Sequence, residues 1–295
     1  SEVGSSEYPI EEFNWAVAAE LADSIGADII TSSLGYSVFD DASMDHTYRD
    51  MNGHSTMASQ AASIAASKGI IVLVSAGNEG EDNWKYITAP SDADSILTVG
   101  AINSLGVRAP FSSVGPTFDR RIKPDVMAVG WNTVVQTPGN TIATANGTSF
   151  SAPIIAGLTA CLWQSAPGKK NIDIINAIKQ SSSRYQTPDS LMGYGIPDFY
   201  KAYATLHPLR DKDINAWPSP FTSELNVAFA PIAEKSARLS IYTVSGRKVF
   251  EKHISTISTD TNTVVIDELA YLQKGLYVVK VFAGSQVFVC KVVKL

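Results

Sequence analysis

Hydrophobic and polar residues follow two rhythms along this chain, and the change falls shortly after Leu206. In "PIEEFNWAVAAELADSIG", Phe13, Val17, Leu21 and Ile25 recur every four residues and Gly26 stands where a helix ends, so the spacing predicts an amphipathic helix. "ADIITSSLG" predicts a short strand, "HSTMASQAASIAASKG" a second helix closed by Gly69, and "IIVLVSAGNEG" a strand apolar on both faces. A strand of that kind belongs in a parallel sheet covered by helices on both sides. "SILTVGAI" and "DVMAVG" predict further strands and "NIDIINAIKQSS" another helix. The result is the βα rhythm of an α/β fold.

Beyond "HPLRDKDINAWPSP" the period becomes two. Leu225, Val227 and Phe229 share one face, Leu239 and Ile241 do likewise, and Leu276, Val278 and Lys280 alternate with Tyr277, Val279 and Val281. "SGR" at Ser245–Arg247 and "GS" at Gly284–Ser285 supply turns. The expected organisation is an α/β domain over 1–208, a charged, Pro-containing linker over 209–220 and a small antiparallel β-sandwich over 221–295.

Composition narrows the function. A chain of 295 residues that is 45% hydrophobic can bury a large core. A net charge of -6 and a pI of about 5.2, without clustered Lys and Arg, argue against a nucleic-acid surface. No apolar run is long enough to span a membrane, since the best candidate is broken by Ser151, Pro153 and Thr159. The opening "SEVGSSEYPIEEF" has neither an initiator Met nor a signal-peptide pattern, so it reads as a processed product or a fragment. Cys161 and Cys290, far apart in sequence, read as two buried free thiols.

The candidate chemistry lies in "NGTSFSAPIIAGLTACLWQ". Gly-Thr-Ser before a helix sets Ser149 at a helix N-terminus, where free N–H groups and the positive dipole end suit a nucleophile, although a Ser or Thr there is far more often a helix cap. "SAGNEG" adds a second feature, because Asn78 just past a buried strand offers a neutral carboxamide donor that does not titrate.

Taken in order, "SSLG", "SAGNEG", "FSSVGPTFDRRIKPDV", "GTSFSAPIIAG" and "GYGIPDFYKA" resemble the subtilisin-like serine proteases, the subtilases, over Ser1 to about Leu206. The resemblance implies that Ser149 is the acylating nucleophile and Asn78 the oxyanion-hole amide. It makes the backbone of Ser33, Leu34 and Gly35 one wall of a substrate cleft and that of Ser75, Ala76 and Gly77 the other. Glu79 lies where family members line the first specificity pocket, and the bond before Pro90 is expected to be cis. In that family Asp and His precede the "SSLG" strand, so the triad's base and its orienting carboxylate are expected in an N-terminal segment upstream of this sequence. The implied fold is therefore a subtilisin-like α/β sheet with its early strands missing. A lone chain would be inactive, would expose a strand edge and apolar surface, and would want its other half as a partner.

His54 resembles a His-Gly-Thr motif at a glance, but it falls between "SSLG" and "GNEG" and reads as solvated or capping; His46, His207 and His253 are weaker cases. Asp40, Asp41, Asp45 and Asp50 in "FDDASMDHTYRD" lack the ordered spacing of a calcium loop, so no cofactor is expected although calcium stays open. "AWPSPFTSELNV", "LSIYTVSGRKVF" and "LQKGLYVVKVFAGSQVFVCKVVKL", with Lys291 and Lys294 in the last strand, look like the C-terminal sorting domain of type IX secretion cargo. That resemblance implies a secretion machinery as partner and export to the surface or exterior of a Gram-negative cell. A carbohydrate-binding or generic stabilising sandwich is the alternative, and no aromatic platform stands out beyond Trp217 and Tyr242. Two functional classes follow: a secreted serine endopeptidase acting on peptides or proteins, or a non-catalytic surface or binding protein on the same scaffold.

Overall fold

A computed structural model of the chain describes residues 6–207, 213–230, 236–255 and 262–295. It divides into two units, Ser1–Leu206 and His207–Leu295.

In the first unit, helix α1 (Ile10–Ser24), strand β1 (Ile29–Ser32), helix α2 (Met57–Ser67) and strands β2 (Ile71–Ser75), β3 (Leu97–Ile102) and β4 (Val126–Val129) follow one another. The strands form a parallel sheet in the order β1-β2-β3-β4. Its register sets Ile30 beside Val72, Leu73 beside Leu97 and Val99 beside Val126. β2 and β3 are buried throughout, as expected for strands covered on both faces. Helices α3 (Thr148–Ser165), α4 (Asn171–Ser181) and α5 (Phe199–Leu206) pack Ile155, Ile174 and Ile178 against Leu73 and Val99. On the other face Val72 and Val74 meet Trp15, Ala62 and Ala65 of α1 and α2. Between β4 and α3 a hairpin of β5 (Thr133–Gln136) and β6 (Ile142–Ala145) projects outward.

α1 runs where its spacing predicts, but it buries the face opposite its apolar stripe. Phe13, Val17, Leu21 and Ile25 are 50%, 47%, 60% and 74% exposed, while Glu12, Trp15 and Ala19 are buried. Small Ala19 and the alanines of α2 allow close helix packing, and Trp15 Nε1 donates to Ser32 Oγ at 2.9 Å. β1 is an edge strand of the sheet, and Ile154 and Leu158 of α3 are 40% and 42% exposed. Among the described residues the expected open strand edge and apolar surface are thus both present. Cys161, expected to be buried, lies exposed on α3, and Cys290 is half-buried; both are free thiols.

Buried Glu12 needs partners, and it has two. Its carboxylate accepts the Ala58 N–H at 3.0 Å and meets His46 Nε2 at 2.5 Å, tying the 36–50 loop to both helices. Burial pulls the His46 pKa down, but the Glu12 carboxylate, with Asp50 and Asp92, outweighs it and holds the imidazole above its ordinary 6.5. A raised folded pKa contributes stability that is complete below 6.5 and is lost as pH rises through the folded value. Amide protection across residues 38–50, taken relative to the intrinsic exchange rate at each pH, is therefore expected to fall between mildly acidic and alkaline buffer, and Glu12→Gln is expected to flatten that fall. Nearby carboxylates serve as local caps: Asp45 accepts the Phe39 N–H, Asp41 the Ser43 N–H and Asp50 the Thr47 N–H. His54 lies two residues before the Thr56 cap of α2, exposed rather than at the helix start.

The second unit packs the sheet β11-β8-β7 on the sheet β10-β9-β12-β13. Its strands are β7 (Ile214–Trp217), β8 (Leu225–Phe229), β9 (Ala237–Thr243), β10 (Lys248–Ile254), β11 (Asn262–Ile266), β12 (Gly275–Ala283) and β13 (Gln286–Lys294). The stretch read as a linker holds β7, which pairs with β8, while residues 209–212 lie outside the described residues. Alternation hides that strand in sequence, because Ile214, Ala216 and Trp217 are flanked by charge and prolines. Leu225, Val227, Phe229, Leu239, Ile241, Val279 and Val281 fill the core as their period demands.

Candidate active site

β1 and β2 are adjacent parallel strands, so the segments after their carboxyl ends, Ser33–Gly35 and Ala76–Asn78, emerge at the end of the sheet where α/β folds bind ligands. The amino terminus of α3 arrives at the same end. Gly147, at φ +151, precedes Thr148 in a conformation that L side chains rarely adopt, and its N–H bonds the Gly130 carbonyl at 2.8 Å. Ser149 therefore lies in the first turn of α3, half-buried, where unpaired N–H groups concentrate positive potential.

Thr148 fixes Asn78 to this turn. The Thr148 N–H donates to Asn78 Oδ1 at 2.9 Å and its hydroxyl lies 3.1 Å from the same oxygen. With its oxygen held by those donors, the carboxamide turns its N–H₂ away from them, and no protein acceptor takes it among the described residues. The Thr148 hydroxyl also lies 3.2 Å from the Gly77 carbonyl and 3.3 Å from the Gly77 N–H. Ser149 and Asn78, read from separate motifs, are thus joined through the residue between them. Pro153 has no N–H to offer the Ser149 carbonyl four residues earlier, and the Ser33 hydroxyl approaches that carbonyl at 3.4 Å.

The two expected walls differ in kind. Ser75 pairs within the sheet, Ala76 N–H bonds Val99, and the Gly77 carbonyl accepts the Ser113 N–H at 3.1 Å. That wall offers surface. Ser33 and Gly35 are exposed, and among the described residues their backbone groups and the Leu34 carbonyl have no protein partner. That wall offers hydrogen bonds. Gly77 is at φ +106, and a Cβ there would collide with the carboxylate of Glu79 and the hydroxyl of Ser113. Glu79 is held in place by Ser113, whose hydroxyl donates to Oε2 at 2.6 Å and accepts the Glu79 N–H at 3.0 Å.

Three residues of this neighbourhood escape sequence reasoning. Thr148 and Ser113 stand inside quoted motifs with no sign of what they touch. Thr88, fully buried, presses its partnerless hydroxyl against Gly35, where no Cβ would fit. The Ala89–Pro90 bond is cis, as expected, and the Tyr36–Ala89 bridge ties it to the cleft wall. No histidine bonds the Ser149 hydroxyl among the described residues. Nor do those residues gather three or more His, Cys, Asp or Glu side chains able to hold a metal ion.

The profile of the Subtilase family matches residues 3–195, well over half of the chain. The chain belongs to the subtilase family. This subtilase is 30% identical over 190 residues to the thermophilic serine proteinase of Bacillus sp. (strain AK1), covering 62% of this chain and 41% of that protein. It is 33% identical over 137 residues to subtilisin BL of Lederbergia lenta, covering 46% of this chain and 47% of the relative. The chain thus spans less than half the length of these curated relatives. Among solved structures, the self-cleaved protease domain of PatA shares its fold, at a TM-score of 0.54 and 23% identity over 66% of this chain and 68% of the other. Residues 215–295 match the secretion system C-terminal sorting domain. That domain marks the subtilase for the secretion machinery and for the surface or exterior of a Gram-negative cell. No helix among the described residues is long and apolar enough to cross a membrane.

Proposed function

We propose that this subtilase is a secreted serine endopeptidase that cleaves peptide bonds through an acyl-enzyme on Ser149. The Ser149 oxygen attacks the scissile carbonyl, and the Asn78 carboxamide, with the Ser149 N–H at the start of α3, receives the oxygen as it becomes negative. The observation that carries this reading is the grip of Thr148 on Asn78 Oδ1, which leaves one donor at the mouth of the cleft in a fixed orientation. An extended substrate would bond the free backbone of Ser33, Leu34 and Gly35 and lean on the surface of Ser75, Ala76 and Gly77. Glu79, pinned by Ser113, would let the first specificity pocket accept basic side chains, with large apolar side chains as the equal alternative.

An alcohol needs a base to accept its proton. We assign the Asp and His to an N-terminal portion of the protease that covers the apolar stripe of α1 and extends the sheet at β1. The exposure of Phe13, Val17, Leu21 and Ile25, together with the edge position of β1, supports that assignment. A non-catalytic binding protein is the second reading, favoured by the lack of a histidine partner for Ser149 among the described residues.

On the assembled protease, Asn78→Ala is expected to lower kcat by about 10²–10³-fold with KM little changed, a loss known for the equivalent change in a subtilisin and carried over from it. Steady-state kinetics on a peptide substrate checks this, and an unchanged kcat would remove Asn78 from the oxyanion site.

A further inference from the structure

The solvent side of a half-buried sheet is ordinarily polar, and one end of this sandwich is not. In β12 and β13 the inward positions Tyr277, Val279, Val281, Phe288 and Val292 fill the core. The outward positions are apolar as well: Leu276, Val287, Val289 and Val293 are 43%, 49%, 51% and 39% exposed. Register gathers them into one patch, with Leu276 opposite Val293 and half-buried Phe282 opposite Val287. Cations border it. Lys280 stands opposite Val289, Lys291 opposite Val278, and Arg238 lies over the Phe282 ring at 4.9 Å. Glu251, an acid on β10, is already paired with Lys248 at 2.6 Å.

The backbone beside this patch also lacks a strand partner among the described residues, although β7 approaches β13 without pairing with it and the Val293 N–H donates to the Ser219 hydroxyl at 3.1 Å. β13 ends its sheet and pairs with β12 on one side. On its other side the Val293 carbonyl accepts the Phe221 N–H, and the Leu295 N–H donates to Phe221, both at 2.9 Å. Backbone groups alternate in an antiparallel strand, so those of Val287, Val289 and Lys291 face the same way as those of Val293. No strand pairs with them among the described residues. An open edge whose side chains are apolar is a template for another strand, which proteins ordinarily blunt.

We propose that the open edge of β13 and the apolar outer face of β12 and β13 form the surface on which the secretion machinery docks, by adding an extended segment of its own. The added segment carries apolar residues at alternate positions and acidic side chains opposite Lys280 and Lys291, the complement of this face. This rests on residues 215–295 being a sorting domain, which supplies the partner; the structure supplies the face.

The test expresses the full chain in a Gram-negative host with type IX machinery and compares extracellular with cell-retained protein by immunoblot. Val287→Thr combined with Val289→Thr keeps the branched shape and strand propensity while weakening apolar contact, and Lys291→Glu reverses one exposed charge without touching the core. Each is expected to lower the exported fraction by about tenfold or more, with the retained protein as resistant to limited proteolysis as wild type. Val244→Thr, at an exposed turn between β9 and β10, is expected to export normally. If the double variant proves protease-sensitive, Lys291→Glu alone decides. Wild-type export of the face variants, in a host where removing residues 215–295 blocks export, overturns the docking face and leaves the sorting role intact. Export of the truncated chain overturns both. A dimer of the purified chain that Lys291→Glu dissolves, with export unchanged, assigns the face to self-association and also overturns the proposal.

Discussion

Ser149→Ala is expected to abolish covalent labelling of the assembled protease by a fluorophosphonate probe and to lower peptide hydrolysis by a factor on the order of 10⁶, the loss known for the nucleophile of a subtilisin and carried over from it. The effect is so large because the hydroxyl is the atom that bonds to the substrate carbonyl, and alanine leaves nothing in its place. Folding should be spared. Ser149 is half-buried at a helix start, its hydroxyl has no protein partner among the described residues, and the cap itself is Gly147. Thermal melting of the variant is therefore expected within about 0.5 kcal/mol of wild type, the range of substitutions away from special features. Wild-type labelling of the variant would end the assignment of Ser149. A wild-type assembly that never labels would favour the non-catalytic reading.

The largest loss of stability is expected from Asp125→Ala. Asp125 is buried at the start of β4 and meets Lys123 Nζ at 2.7 Å and Lys179 Nζ at 2.6 Å. It also accepts the Thr98 N–H at 2.8 Å, so one carboxylate ties β3, β4 and α4 together. Burial alone would raise its pKa, but Lys123 and Lys179 overcome that and hold it at about 2. Removing the anion leaves two cations facing each other, one of them fully buried. The expected cost is about 3–5 kcal/mol, against a total stability of roughly 5–15 kcal/mol for a domain. Lys123→Met should cost much less, since Asp125 keeps Lys179. The depressed pKa also sets an acid limit: the contribution is complete above the ordinary 3.8 and is lost as pH falls through about 2. Denaturant melts from neutral pH to strong acid check both statements. An Asp125→Ala variant as stable as wild type would mean that the lysines find water or each other tolerable.

Local information carried much of this architecture. The α/β alternation and the period-two sandwich were legible because burial on both faces demands continuous apolar runs and burial on one face demands alternation. Gly-Thr-Ser and Gly-Asn were legible as chemistry because few residue types can cap a helix, act as a nucleophile or donate without titrating. What misled was periodicity without a partner. The stripe on α1 announced a helix correctly and its buried face wrongly, since a moment says which residues are apolar and not what stands opposite them. β7 was missed because four residues between charge and prolines make no pattern until β8 pairs with them.

The sequence by itself determined the helices and strands with strong patterns, the two-part organisation, and the hydroxyl and carboxamide worth watching. Tertiary structure alone decided that Thr148 joins Ser149 to Asn78, that the segment after β1 has free backbone and the segment after β2 does not, and that buried Asp125 has two lysines and buried Glu12 a histidine beside it. The division has a physical cause. Backbone preference and burial pattern act over a few neighbouring residues, whereas a hydrogen bond between positions seventy apart, such as Thr148 to Asn78, exists only once the sheet has brought its strand ends together.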